Sequence, residues 1–477
     1  MTPLPLLFAS CTVPDRAQAQ PVSLASTASP AAEHPGSESP EVAPPAAPPR
    51  ELRVSKFSRE VYRTPAKGGR LRGRIAGGEP FAALERVASP GCGGDGWAKV
   101  EANGFVCLEG TTATIDTPVA LPRLVPFDPP LPDEYYSYVE SGLYEPASLE
   151  TAPSLLPFVY GKAWRRWKGN VFSSPEAFEK GAASIGKLET GLIRKSHFVR
   201  EIETSKGPVL ERETGGVVPV DDVFLYAVSR HHGRDLVADP LATGLLPGWT
   251  VDYEGAEVHA APDPASPIAV LLPHHQPVVL DATPADASGH WWRIPDLLGP
   301  GRDGFVDDLD AVRHPTLLPR PPEVGPDELW ADVDIAQQIF MLYRGDQLVY
   351  TTLVATGEIG FGTPKGLYRI QKKSISADMS SRADALEPYY VEDVPWTMHF
   401  WPRYALHGVF WHWGFGRIAS HGCVNLSPLD AKEMFGRLDP QIPAGWSEIV
   451  PTEDDPGTTL RIRNGVVTGP DRRNAAL

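Results

Sequence analysis

The tetrapeptide Ser420-His421-Gly422-Cys423 sets a thiol one small residue away from an imidazole, just ahead of a helix start. The chain has only four cysteines, Cys11, Cys92, Cys107 and Cys423. A thiol nucleophile needs a base to take its proton and N–H donors to hold the oxyanion that attack creates. His407, His412 and His421 all lie in this stretch. Gly408 is read as keeping the space beside His407 open. His421 and Cys423 flank Gly422, so on an extended chain their side chains point the same way. The N–H groups around Gly422 and Cys423 are the candidate oxyanion donors. The free thiol has two other readings: a buried structural cysteine, or a zinc site made of His407, His412, His421 and Cys423. Neither HExxH nor a paired CxxC accompanies the latter, and no metal or cofactor is expected.

The elements that must position these groups are legible on either side. Ser427-Pro428-Leu429-Asp430 reads as a capping box with proline in the first turn. The helix it starts runs through Ala431, Met434 and Phe435, with Gly436 near its end. Its positive end favours a thiolate at Cys423, modestly at this distance. Upstream, Ala331 to Gly357 shows two alternating strands around Gly345-Asp346, a hairpin signature. Thr363 to Lys373 reads as a further turn and strand. Trp396, Phe410, Trp411 and Trp413 are placed to wall the site and exclude water. Arg403 and Arg417 are candidate holders of substrate carboxylates.

His407-Gly408, a spacer, then Ser420-His421-Gly422-Cys423-Val424-Asn425 resembles the signature of the L,D-transpeptidase family, and the strands from Asp332 to Ile370 resemble the opening of its catalytic domain. Many members of that family carry arginine where this chain has Asn425. The resemblance covers residues 326–450. It implies a β-sandwich with the motif helix against it, no cofactor, and acyl transfer on peptidoglycan stem peptides. It implies Cys423 as nucleophile, His407 as base, His421 as support for the thiolate, and the Gly422 and Cys423 amides as oxyanion donors. Ser420 completes the motif; Asn425, Gly408, Trp411, Arg403 and Arg417 are the expected substrate contacts. Water in place of an amine acceptor makes the same site an L,D-carboxypeptidase. A non-catalytic wall-binding protein is the reading from another class, and its expected mark is loss of Cys423 or His407; both are present.

The remaining chain reads as a delivery apparatus. At 477 residues it is too long for one core. Its net charge of −16 argues against a nucleic-acid surface, and no apolar run is long enough to span a membrane. The first 22 residues contain "MTPLPLLFASC", read as the end of an export signal with Cys11 lipidated. Residues 23–50 are rich in Pro, Ala, Ser and Glu, an extended tether. Residues 51–115 and 248–315 share an order of features: a Val followed by a Pro, a β-rich run, Trp97 or Trp292 near a basic residue, and a closing Gly-Phe-Val. Both resemble bacterial SH3-like domains, small β-barrels, with each tryptophan a core residue. Cys92 and Cys107 share the first of them and are expected to form a disulfide in an extracytoplasmic compartment. Residues 130–247 read as a mixed globular region, with a helix starting at Ser174-Pro175, and 451–477 as a tail. The class expected throughout is mainly β.

Overall fold

A computed structural model describes residues 51–113, 159–163, 169–188, 194–226, 229–308, 311–381 and 389–465. Cys11 and the tether lie outside these residues. The chain is mainly β; the helices described are Pro175–Glu179 and Pro428–Arg437, plus one short 3-10 turn. None of them is long and apolar enough to cross a membrane.

The carboxy-terminal region is built from ten strands: β1 (Leu329–Asp334), β2 (Ile339–Arg344), β3 (Gln347–Leu353), β4 (Gly366–Arg369), β5 (Lys372–Ser380), β6 (Tyr390–Trp401), β7 (Tyr404–Gly408), β8 (Val424–Leu426), β9 (Trp446–Ile449) and β10 (Thr459–Arg463), with helix α1 (Pro428–Arg437). The first sheet has the order β3-β2-β1-β10-β4, extended beyond β3 by Arg234–Asp235; the second runs β9-β5-β6-β7-β8. Their facing sides share one core. Val333, Phe340 and Leu342 meet Met398, Phe400, Leu406, Val424 and Leu426, with Ala431 and Met434 of α1 filling it. The hairpin turns at Gly345-Asp346. β2 reads as an unbroken apolar run because its other side is covered too: Ile339, Met341 and Tyr343 pack with Trp249, Val251 and Phe415.

Strand β10 corrects the sequence boundary that ended this region at 450. It lies inside the first sheet, parallel to β1 and antiparallel to β4. The sequence alone places this strand in the tail. Arg463 is instead fully buried, donating to Asp332 (2.9 Å) and Asp334 (2.7 Å), and Arg461 closes on Asp332 at 2.6 Å.

The two amino-proximal modules have the same pairing plan. In the first, Glu51–Val54 pairs with Pro80–Ala83 and Thr112–Ala113, and Arg59–Tyr62 pairs with Leu71–Ile75 and Gly104–Cys107, the latter pairing Trp97–Val100. In the second, Leu245–Thr250 pairs with Pro277–Asp281 and Val312–Arg313, and Ala256–His259 pairs with Ile268–Leu272 and Gly304–Asp307, the latter pairing Trp291–Ile294. The second module thus begins at Leu245, three residues before the sequence boundary. Trp97 and Trp292 are both buried, and a Cys92–Cys107 disulfide sits beside Trp97.

Neither module is a separate bead. Leu71–Ile75 pairs with β9, so the second sheet continues into the first module, whose core includes Trp446 and Ile449. Gly73 makes this approach possible, since a Cβ there would lie 2.2 Å from the Glu448 carbonyl oxygen and 2.7 Å from the Trp446 ring. The middle region joins the other edge: Arg194–Phe198 runs parallel to β6. Its helix begins as the sequence reads, with the Ser174 side chain accepting from the Ala177 N–H.

Candidate active site

β7 and β8 run parallel, with Leu406 opposite Val424 and His407 opposite Asn425. Leu406, Val424 and Leu426 face the sandwich core. By alternation Ala405, His407, Cys423 and Asn425 face the other way. The register puts Ala405 beside Cys423 and leaves His407 its diagonal neighbour, a separation that an imidazole can bridge. Cys423 is half-buried, its Sγ 3.8 Å from the Arg403 carbonyl oxygen.

His407 is 2% exposed, and its Nδ1 lies 3.1 Å from the Gly408 carbonyl oxygen. A carbonyl only accepts, so Nδ1 carries the ring proton and Nε2 keeps its lone pair. Burial pushes the ring's pKa down to about 4, which leaves it neutral and basic at physiological pH. Trp411 lies over it, ring centroids 6.0 Å apart, and Lys195 Nζ sits 4.6 Å from the Trp411 ring centroid.

Several expectations change on contact with this geometry. Burial pushes the Cys423 thiol up to about 11, so a nearby helix start does not give a resting thiolate; α1 begins five residues later, beyond the first-turn reach of its dipole. Iodoacetamide labelling of Cys423 should therefore quicken about tenfold per pH unit from 7 to 10, without levelling off. A plateau below pH 8 would reveal a stabilised thiolate and refute this. Gly422 has φ +110, so the chain is not extended between His421 and Cys423. His421 is exposed, its ring 4.5 Å from that of Phe361 and 5.3 Å from that of Tyr389. The Gly422 N–H donates to Ser420 Oγ at 3.1 Å, which removes it as an oxyanion donor and leaves Cys423 N–H from the expected pair. Ser420 Oγ in turn donates to the Cys423 carbonyl at 2.6 Å, so this hydroxyl shapes the loop. A side chain at position 422 would meet Tyr404 at 2.6 Å.

The expected substrate contacts also redistribute. Gly408 does not open space; it lets Ala431 of α1 and Pro395 approach to 3.2 Å of where its Cβ would be. Asn425 is buried and its amide lies 2.9 Å from His412 Nε2. The amide atom facing that ring is Nδ2, and the Gly414 N–H donates to His412 Nδ1. Asn425 thus orients His412 and is walled off from solvent. Arg417 donates to the Val251 carbonyl and stacks on Tyr253, tying the site's loop to the second module. Arg403 stays exposed at the rim, reaching the Ser380 carbonyl at 3.4 Å. Trp396 packs on Phe435 and Phe410 on Tyr160, away from the thiol. The zinc reading's four side chains have different partners, with His412 on Asn425 and His421 between Phe361 and Tyr389.

Tyr389, Tyr404 and His399 line the same neighbourhood and were not singled out in the sequence. His399 pairs with Ala405 across β6 and β7, and its i, i+2 alternation with residues 397 and 401 was the available signal. Tyr389 has its pKa raised by burial and by the nearby Cys423.

The YkuD family, the L,D-transpeptidase catalytic domain, matches residues 328–462. Solved structures with a similar fold include an Enterococcus faecium L,D-transpeptidase mutant (21% identity, 30% of this chain and 51% of that chain, TM-score 0.24). Mycobacterium tuberculosis L,D-transpeptidase 1 is another (19% identity, 29% of this chain and 62% of that chain, TM-score 0.22). A third is an L,D-transpeptidase from Mycobacterium smegmatis (16% identity, 45% of this chain and 99% of that chain, TM-score 0.24). The chain spans about half the length of the first of these. No curated protein matches the chain.

Proposed function

With residues 328–462 matching the YkuD family of L,D-transpeptidase catalytic domains, we propose that the chain is a peptidoglycan L,D-transpeptidase that uses Cys423 as nucleophile and an amine as acceptor. The observation that carries this is the placement of Cys423 and His407 on one sheet face, with His407 Nδ1–H committed to the Gly408 carbonyl and Nε2 left to accept a proton.

The resting pair is neutral, so the thiol gives its proton to His407 Nε2 as Sγ attacks the carbonyl of the L-to-D amide in a tetrapeptide stem. The Cys423 N–H serves as donor to the oxyanion. Collapse expels the terminal D-residue, whose amine takes the proton from His407, and leaves a thioester. An acceptor amine then attacks, loses a proton to His407, and the C–S bond breaks with the thiol restored. Trp411 over His407 keeps the base dry, which favours an amine over water. His421, exposed beside Phe361 and Tyr389, acts at the rim, with Arg403 as the contact for a stem carboxylate. The two repeated modules serve as SH3-like wall-associated units, and the Cys92–Cys107 disulfide suits an extracytoplasmic setting. A lipid on Cys11 would tether the assembly to a membrane surface.

The product distribution tests this. Incubation with disaccharide-tetrapeptides should give dimers cross-linked between the third residues of two stems, read by mass spectrometry. Tripeptide alone, with no dimer at any substrate concentration, would make the protein a carboxypeptidase.

A further inference from the structure

A cavity of about 860 Å³ lies beside the catalytic residues, lined jointly by the second sheet and the middle region. Its position relative to the thiol follows from register. Ala405 stands next to Cys423, His399 opposite Ala405, and Lys372 opposite His399. His399 and Lys372 line the cavity. Side chains paired in this way share a sheet face, so the cavity and the thiol open on the same side, about 10 Å apart at two strand spacings.

The lining is charged and unbalanced. Glu213, Asp378, Glu392, Asp393 and Glu448 supply carboxylates, against Arg212, Lys372 and the His197 ring. His197 is engaged on both sides, Nδ1 2.9 Å from Asp393 and Nε2 3.2 Å from Glu213. Lys372 is engaged by Glu448 at 3.2 Å. Even with these cations charged, negative charge is in excess, and a concave wall concentrates its field on entering cations. The cavity also has unused hydrogen-bonding capacity. Ser374 Oγ, on a residue 2% exposed, and His399 Nδ1 have no protein partner, and both residues line the space. A buried hydroxyl without a partner is destabilising unless something polar meets it.

We propose that this cavity binds the amine acceptor of the transfer reaction in its ammonium form; the amine loses one proton to solvent as it leaves the cavity along the sheet and reaches the Cys423 thioester as the neutral base. The proposal rests on the transpeptidase reading above and names the groups that select its second substrate. A primary alkyl ammonium fits the charge, and the amine has about 10 Å, two strand spacings, to travel from the cavity to the thioester. The middle region contributes Glu213, Arg212 and His197, which gives it a function: it forms the wall that the catalytic sheet lacks.

The test separates binding from chemistry. Nα-acetyl-lysine methylamide and its uncharged counterpart, Nα-acetyl-norleucine methylamide, are titrated by calorimetry into the full chain carrying Cys423→Ala, where no thioester can form. The lysine probe should bind at least tenfold more tightly than the norleucine probe. Adding Glu213→Lys and Asp378→Lys should weaken it at least tenfold; both side chains reach solvent, and Glu213→Gln with Asp378→Asn serves as the milder pair should the reversed one misfold. Equal affinity for the two probes, no binding, or affinity indifferent to both charge variants would overturn the proposal. Acylation of the Cys423-bearing chain by a tetrapeptide donor is measured in parallel. Acylation without charge-dependent binding sinks the cavity alone. Charge-dependent binding without acylation sinks the transpeptidase reading and, with it, the acceptor assignment.

Discussion

Replacement of Cys423 by alanine is expected to abolish covalent labelling by a carbapenem-type β-lactam and to lower stem-peptide transfer by at least about 10⁴-fold, the scale at which covalent catalysts lose activity with their nucleophile. The fold should survive. Cys423 packs against loop atoms, not in the sandwich core, and its contacts are the Arg403 carbonyl and the edge of β7. Circular dichroism and thermal unfolding of the variant should therefore match the parent. His407→Gln, which keeps a polar side chain of similar reach but removes the base, should cost roughly 10²–10⁴-fold in the same assay. Retained covalent labelling in the Cys423→Ala protein would assign the nucleophile elsewhere and leave the neutral thiol–imidazole pair without a role.

Arg463→Ala should have the largest effect on stability. The guanidinium is fully buried between Asp332 and Asp334 and also donates to the Thr316 and Gly465 carbonyls. Truncation leaves the Asp334 carboxylate without its cation inside the sheet; Asp332 keeps Arg461. Breaking a buried ion pair from one side costs about 3–5 kcal/mol, a large part of the 5–15 kcal/mol by which a domain is stable. Urea unfolding of the full chain should show the midpoint of its carboxy-terminal transition fall accordingly. Arg463→Lys should recover only part of the loss, because an ammonium cannot serve two carboxylates as a planar fork does. A variant with an unchanged midpoint would mean that β10 is held by its backbone pairing with β1 and β4 alone.

The catalytic segment was legible in the sequence because its signals are local. Ser420 to Asn425 compresses a thiol, an imidazole and a glycine into six residues, and Ser427-Pro428 marks a helix start through hydrogen bonding to the next turn; α1 begins at Pro428 with Ser427 accepting from Asp430 N–H. The hairpin at Gly345-Asp346 was legible for the same reason. The repeat could be read because a turn residue and a tryptophan recur in order, and the matching strand pairings follow from that order.

What the tertiary structure decided depends on partners distant in sequence. Residues 451–477 read as a tail, but Arg461 and Arg463 pair with Asp332 and Asp334, about 130 residues earlier. Asn425 and Arg417 looked like substrate contacts, but the first is buried on His412 and the second reaches Val251 of another module. The direction of the thiol's pKa was not legible, because a dipole can be inferred from a helix start, whereas desolvation depends on everything packed around the sulfur. The acidic cavity belongs to no single stretch: Glu213, Asp393 and Glu448 come together only when the middle region and β9 flank β5 and β6. Residue types and spacing therefore pointed to the family of the carboxy-terminal region, while long-range packing decided which of its side chains are buried, paired or exposed.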